Sequence, residues 1–200
     1  MAKEIKLWLN RNELSDKVTI VDDEDYDKVV EAARRYNGDG SLKKGTGKWY
    51  YVCKGQSSFN EYAVSGDRRS AIHRLVMDAP KGMDVDHING NGLDNRKENL
   101  RICTRAQNMM NQKLKSHSAS GYKGVQYTPT QRYKYTSKKT GITTVKEYKV
   151  KNPYRAYVGD GKGGHISCGR WATAEEAARA RDKKALELHG EFALLNFPIE

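Results

Sequence analysis

Between Ser70 and Gln112 the chain places two helix-like runs and two strand-like runs around one turn-rich loop, and that order constrains the fold more than any other feature. Ser70-Ala-Ile-His-Arg-Leu-Val-Met sets Ile72, Leu75 and Val76 on one side and is stopped by Pro80 and Gly82, so it predicts a short helix. Met83-Asp-Val-Asp-His-Ile alternates as a strand does. Asn89-Gly90-Asn91-Gly92 is a strong turn signal, Leu100-Arg-Ile-Cys predicts a second strand, and Thr104 opens a second helix through Gln112. Helix, strand, loop, strand and helix in so short a stretch point to a compact α+β module.

The flanking sequence extends that class. Ile5 to Leu9, Val18 to Val21, Trp49 to Cys53 and Glu61 to Val64 predict short strands. The acid run Asp22–Asp25 suits the first turn of a helix over about 23 to 36 better than a calcium loop, and Asn37-Gly38-Asp39-Gly40 ends it. Beyond the small polar stretch Ser116-His-Ser-Ala-Ser120, strands are expected over 122–127, 154–158 and 165–168, the last two joined by the glycine-rich turn 159–164. Residues 128–152 are weakly patterned and predict a long, mobile hairpin. Thr173-Ala-Glu-Glu matches a capping box with Thr173 as cap and Glu176 at its third position. Ala174, Ala177, Ala178, Arg181, Ala185 and Leu188 then share one small-residue helix face, and Gly190 ends the helix. Four segments follow: a strand-rich scaffold over 1–65, a module over 66–115, a linker over 116–120, and a small domain of three antiparallel strands on one helix over 121–200.

Charge distinguishes these segments. The formal charge is +11 over 200 residues. Residues 1–65 are balanced at eleven basic and eleven acidic side chains, 66–115 hold ten and six, and 116–200 hold fifteen and eight. The stretch 122–155 is steepest, with nine Lys/Arg against Glu147 alone and tyrosines interleaved. Such a pattern suits phosphate contact together with base contact, although a solvated loop face is the blander reading. No run of about 18 apolar residues exists to span a membrane, and the first residues lack a signal peptide's apolar stretch. Cys53, Cys103 and Cys168 are too scattered for a disulfide framework or a cysteine zinc site, so an intracellular, cytoplasmic setting is expected.

The polar residues of the central module suit phosphodiester hydrolysis. A hard cation such as Mg²⁺ wants oxygen ligands, few of them from protein. Asp86 and the amide oxygen of Asn108 can supply two, and neutral His87 can take a proton from an attacking water. Adjacent strand residues diverge, so Asp86 and His87 need a bend between them to reach one phosphate. Asn89, Asn91, Asp94 and Asn95 read as turn formers. Asn99 reads as a loop brace through side-chain to backbone bonds. His73 reads first as a packed histidine and second as a site candidate.

His73-Arg-Leu-Val, then Val85-Asp-His-Ile-Asn-Gly-Asn-Gly-Leu-Asp-Asn-Arg-Lys-Glu-Asn-Leu-Arg, then Thr104-Arg-Ala-Gln-Asn resemble the HNH endonuclease family over about 66–115. They resemble more narrowly its homing branch of phages and bacterial mobile elements. The resemblance implies a ββα-metal core, a general base at His87, metal ligands at Asp86 and Asn108, and a bracing role for Asn99. Asn108 stands where the family name expects a final histidine, as in nicking members of the branch.

Tyr122-Lys-Gly-Val, Tyr154-Arg-Ala-Tyr-Val, Gly169-Arg-Trp-Ala-Thr-Ala-Glu-Glu-Ala-Ala-Arg-Ala-Arg-Asp and Leu195-Asn-Phe-Pro resemble the apetala/ethylene-response-factor DNA-binding domain over about 121–198. That family lays a three-stranded sheet in the major groove with a helix behind it, and this chain departs from it through 128–152. Alternation independently turns Ala156, Val158, Ile166 and Cys168 to the helix and Arg155, Tyr157, His165 and Ser167 outward. Lys123 and Gln126 stand where the family usually has DNA-contacting arginines, which changes the expected base preference.

The sequence therefore predicts a metal-dependent homing endonuclease acting on double-stranded DNA, with one Mg²⁺ or Mn²⁺ ion per site, no small-molecule organic cofactor and no membrane partner. Nicking by a monomer is the expected mode. Lys123, Gln126, Arg155, Tyr157, His165 and Ser167 are the expected DNA contacts. The alternatives are a non-catalytic DNA-binding regulator with a degenerate nuclease module, and an RNA-binding module.

Overall fold

The computed structural model describes residues 1–10, 13–35, 37–41, 43, 47–53, 61–66, 71–112 and 119–198. They divide into two compact units, Met1–Asn108 and Met109–Glu200. The expected loop between Cys53 and Glu61, the expected helix start at Ser70 and most of the expected linker over 116–120 lie outside the described residues. The architecture is mixed α+β.

In the N-terminal unit, β1 (Ala2–Trp8), β2 (Leu14–Asp22), β3 (Trp49–Cys53) and β4 (Glu61–Ser65) form a sheet in the order β2-β1-β3-β4. Its pairs are antiparallel except the β1–β3 contact at Trp8 and Tyr50. The helix α1 runs over Asp23–Ala32, shorter than the predicted span. Its acids are consumed locally: Asp23 pairs with Lys3, and Glu24 and Asp25 pair with Lys97. That is the first-turn role rather than a cation loop.

The module behind it follows the predicted order. Helix α2 (Ile72–Val76) precedes β5 (Asp84–His87), which pairs antiparallel with β6 (Leu100–Cys103), and α3 (Arg105–Met110) follows. Thr104 caps α3: its backbone N–H donates to Gln107 Oε1 at 2.8 Å and its hydroxyl accepts from Gln107 N at 3.3 Å. One core joins the four-stranded sheet to this module, with Leu7, Val21, Val29, Trp49 and Ala63 packing on Ile72, Val76, Val85, Leu93 and Leu100. The 88–99 loop is stitched to β2, because Ile20 N donates to Leu93 O (2.9 Å) and Asn95 N donates to Ile20 O (2.8 Å). Gly92 is required in this loop, since a Cβ there would collide with the Glu61 carbonyl of β4.

In the C-terminal unit, β7 (Val125–Tyr127), β10 (Tyr154–Gly159) and β11 (His165–Trp171) make a sheet in the order β11-β10-β7, covered by α4 (Ala174–His189). The predicted capping box is formed, and Ala177, Ala178 and Ala185 are buried while Leu188 is exposed. Val125 and Ala156 pack on the alanines, with Tyr122, Tyr154, Cys168 and Phe197 around them. The first strand starts later than predicted. Ser120 Oγ accepts from Tyr122 N and donates to Val125 O at 2.7 Å, holding residues 120–124 as a turn. Gly124, at φ +71°, allows that turn to lie against the Tyr157 carbonyl and the Arg181 side chain, where a Cβ would clash. The C-terminal Asn196-Phe197 is clamped by Asp182, which accepts from Asn196 N at 2.6 Å, Asn196 Nδ2 at 2.9 Å and Phe197 N at 3.1 Å. Residues 130–149 form the predicted hairpin, β8 (Thr130–Thr136) with β9 (Thr143–Lys149).

Candidate functional site

The site is built on β5 and the two walls beside it. Cross-strand partners share a face, so Asp84 (opposite Cys103) and Asp86 (opposite Arg101) lie on one side of β5. Val85 and His87 lie on the other. The ladder pairs without a register shift to His87↔Leu100, where β5 ends, and the Asp86 charge still acts on the His87 ring.

His87 is buried among rings and amides. Its ring is 5.2 Å from that of His73 in an edge-on contact, and 6.1 Å from that of Tyr62. Its Nε2 lies 3.1 Å from Asn95 Oδ1. Asn95 Nδ2 donates to Thr19 Oγ1 at 2.7 Å, and the Thr19 hydroxyl donates to Leu93 O at 2.8 Å. This chain fixes a tautomer. A carbonyl only accepts, so Thr19 must give its proton to Leu93 and accept from the Asn95 amide nitrogen. The amide oxygen therefore faces His87 and takes the Nε2 proton, which leaves the ring's basic lone pair on Nδ1.

Burial sets the charge state. It pushes the His87 pKa down against the raising effects of the Asn95 bond and the Asp86 charge. Burial, His87 and Arg74 push His73 down to about 3. Burial also raises the Tyr62 hydroxyl, helped by the Asp86 and Asp84 charges. The pocket thus holds two neutral imidazoles and a neutral phenol at pH 7, next to two carboxylates.

The carboxylate face meets cations and an amide. Arg101 donates to Asp86 Oδ2 from Nε (2.9 Å) and Nη2 (2.7 Å). Asn108, on α3, donates to Asp84 Oδ2 at 3.0 Å, and Arg105 donates to the same oxygen at 3.2 Å. The Asn108 bond, ahead of Arg105, holds the Asp84 carboxyl below its usual range. Asn108 therefore meets Asp84 rather than Asp86, its expected companion. The Asp84 and Asp86 carboxylates and the Asn108 amide oxygen are the kinds of oxygen donor that Mg²⁺ accepts while keeping water and phosphate ligands. Among the described residues no group of three or more His, Cys, Asp and Glu side chains is placed to cage a metal.

The loop residues divide by role. Asn99 accepts from Asn89 N at 3.0 Å and donates to Asp94 O at 2.8 Å, bracing both ends of the loop. Asn89 and Asn91 accept from the backbone two residues on, as turn formers do. Asn95 does not: it is 1% exposed and holds the histidine. Composition disguised it, because one functional Asn among Asn, Asp and Gly neighbours looks like another turn residue. Thr19 carried no signal at all.

In the C-terminal unit, Arg155 pairs with Gln126 on one side and Arg170 on the other, Tyr157 pairs with Ser167, and Gly159 with His165. Gln126, Arg155, Tyr157, His165 and Ser167 therefore share the face turned away from α4, with the Tyr157 and His165 rings 5.2 Å apart. Arg170 joins them, which strict alternation from Ser167 would deny. A bulge at Gly169 (φ +95°) shifts the strand by one residue and brings Arg170 round. Lys123 stands apart from this face. Its ammonium donates to the Met110 and Gln112 carbonyls at 2.6 Å each, and burial lowers its pKa to about 8.

Residues 71–110 match the HNH endonuclease family. The chain is similar to an uncharacterized HNH endonuclease of Acanthamoeba polyphaga mimivirus, at 32% identity over 74% of this chain and 66% of that protein. It is also similar to Protein 3.8 of Escherichia phage T7, at 39% identity over 24% of this chain and 40% of that protein. A third relative is the SPbeta prophage-derived candidate HNH homing endonuclease YosQ of Bacillus subtilis (strain 168), at 44% identity over 22% of this chain and 29% of that protein. The chain thus spans just under two thirds, or less, of each of these relatives' own length. No solved structure matches it significantly. These matches support an HNH nuclease. Among the described residues no helix is long and apolar enough to cross a membrane.

Proposed function

We propose that this chain is a metal-dependent endonuclease of the homing type that hydrolyses a phosphodiester bond in duplex DNA. The observation that carries the reading is the oriented His87–Asn95–Thr19–Leu93 hydrogen-bond chain, which sets a neutral imidazole with basic Nδ1 on the strand that carries Asp84 and Asp86. His87 takes the proton of the attacking water at Nδ1 while Asn95 holds the ring's orientation. Asp86 and Asn108 would hold one Mg²⁺ or Mn²⁺ ion, and the Asn108–Asp84 bond brings Asp84 to the same cluster. When bound, the ion neutralises charge on the scissile phosphate and the leaving 3′-oxygen. Asn99 keeps the loop closed, and His73 packs beside the base as a neutral wall.

The C-terminal unit supplies duplex affinity. Its three strands, capped helix and outward row of Gln126, Arg155, Tyr157, His165, Ser167 and Arg170 support an apetala/ethylene-response-factor-like sheet that meets DNA. Lys123 contributes to that unit's packing rather than to the contact row.

The test is incubation of the full chain with supercoiled plasmid and Mg²⁺ or Mn²⁺. Nicked circles that disappear with a chelator are expected. Intact plasmid under every metal condition, with DNA still bound, would instead establish a non-catalytic binding protein.

A further inference from the structure

The C-terminal unit carries an excursion that its sheet and helix do not need. Thr128 N donates to Pro153 O and Val150 N to Pro129 O, each at 2.8 Å, so the chain leaves the sheet after β7 and returns to the same point before β10. What lies between is the β8–β9 ribbon, with seven cross-strand pairs from Thr130↔Lys149 to Thr136↔Thr143. Every residue of both strands is exposed except the half-buried Gln131. A two-stranded ribbon with two wet faces is marginal in water by itself, so its sequence calls for a partner.

The two faces differ chemically. Directly paired residues share a face, so Tyr148 (opposite Gln131), Tyr133 (opposite Lys146) and Tyr135 (opposite Thr144) lie on one of them. These tyrosines are 52%, 57% and 55% exposed. The other face carries Arg132, Lys134 and Lys149, and the tip carries Lys138 and Lys139. Across 130–151 seven Lys/Arg face one acid, Glu147, and Arg132 already pairs with that acid at 3.0 Å. Such a surface complements a polyanion whose interior edges accept and donate hydrogen bonds.

Shape selects the kind of polyanion. A two-stranded ribbon fits the roughly 12 Å major groove of B-form DNA, while the deep, narrow major groove of A-form RNA excludes side chains. Seven residues per strand reach about 24 Å, the length of about seven base pairs. We propose that the β8–β9 ribbon is a second DNA-binding arm, lying in the major groove with Tyr133, Tyr135 and Tyr148 toward the base edges and its cations toward the flanking phosphates. This inference rests on the duplex-DNA reading above and adds a contact surface separate from the three-stranded sheet.

The experiment compares the full chain with two variants. One replaces 131–148 by an Asn-Gly turn. The other is the triple substitution Tyr133→Ser, Tyr135→Ser, Tyr148→Ser, whose exposed positions leave folding intact. Affinity is measured by fluorescence anisotropy on duplex DNA, and on duplex RNA of the same sequence, between about 50 and 200 mM salt. The deletion is expected to weaken DNA binding at least about tenfold and to reduce the slope of log affinity against log salt by about 3. The triple variant is expected to lose affinity by a similar factor with its salt slope unchanged, because tyrosines contact no phosphate charge. Unchanged affinity and slope in both variants, with the full chain still binding DNA, would overturn the ribbon and leave the nuclease reading standing. Loss in the deletion alone would overturn the tyrosine face. Equal binding and equal losses on RNA would overturn the groove assignment. A full chain that binds no duplex DNA would overturn the ribbon and the duplex reading together.

Discussion

The two units place polar chemistry in opposite environments. Around β5, Asp86, His87 and Asn95 are buried and hydrogen-bonded, so burial decides the protonation of His87 and a single hydrogen-bond chain decides which of its nitrogens is basic. On the β10–β11 sheet and the β8–β9 ribbon the polar groups face water, and their value lies in number and spacing. One residue's loss in the first unit should therefore be severe and local, whereas losses in the second should be graded and salt-sensitive. Lys123 and Arg155 test the contrast inside one unit, because the first ammonium is spent on carbonyls while the second side chain is exposed.

Among the residues that support His87, the largest effect is expected at Asn95. Asn95→Ala strips the acceptor from His87 Nε2–H and the donor from Thr19 Oγ1, and should lower nicking by about tenfold or more while duplex affinity stays unchanged. It should also cost about 1–3 kcal/mol of stability, read by urea titration, because two buried polar groups lose partners. An activity loss matched by an equal loss in DNA affinity would break the division of labour.

Gly124→Ala comes next and inverts the comparison. A Cβ there meets the Tyr157 carbonyl and the Arg181 side chain at a left-handed φ, so the C-terminal unit should lose about 1–3 kcal/mol. In a calorimetric scan the transition of that unit should move down while the N-terminal transition stays in place. Arg155→Ala should weaken duplex binding several-fold and lower the salt slope by about 1. Lys123→Met should leave both nearly unchanged.

The smallest effect concerns pH. Lys123 titrates near 8 in the folded chain against 10.5 for an ordinary lysine, because burial opposes its charge. Between those values the unfolded chain holds more protons, so this group's contribution to stability should rise from about pH 8 toward 10.5. Lys123→Met should remove that rise in a pH series of thermal melts.

Much of this was legible in the sequence because short-range rules govern it. The Thr173 capping box, the 159–164 turn and the 130–149 hairpin follow from residues a few positions apart. Alternation also sorts Ala156 and Val158 from Arg155 and Tyr157. Three features were hidden because they depend on contacts across the chain. Thr19 reaches His87 from 68 residues away through Asn95, which in the sequence looks like its turn-forming neighbours. Arg170 joins the outer face only through the Gly169 bulge. Lys123, an expected DNA contact, donates to the Met110 and Gln112 carbonyls, which nothing in its local sequence signals. Asn108 is expected beside Asp86 as a metal ligand, but its hydrogen bond goes to Asp84, which shares a face with Asp86 one strand period away.

The central claim is that one unit cuts and the other binds, and His87→Ala tests it most directly. Nicking rate on supercoiled plasmid in Mg²⁺ and duplex affinity should be measured on the same protein sample. A fall in rate of about a hundredfold or more with affinity unchanged is predicted. Nicking at the unsubstituted rate would contradict the account.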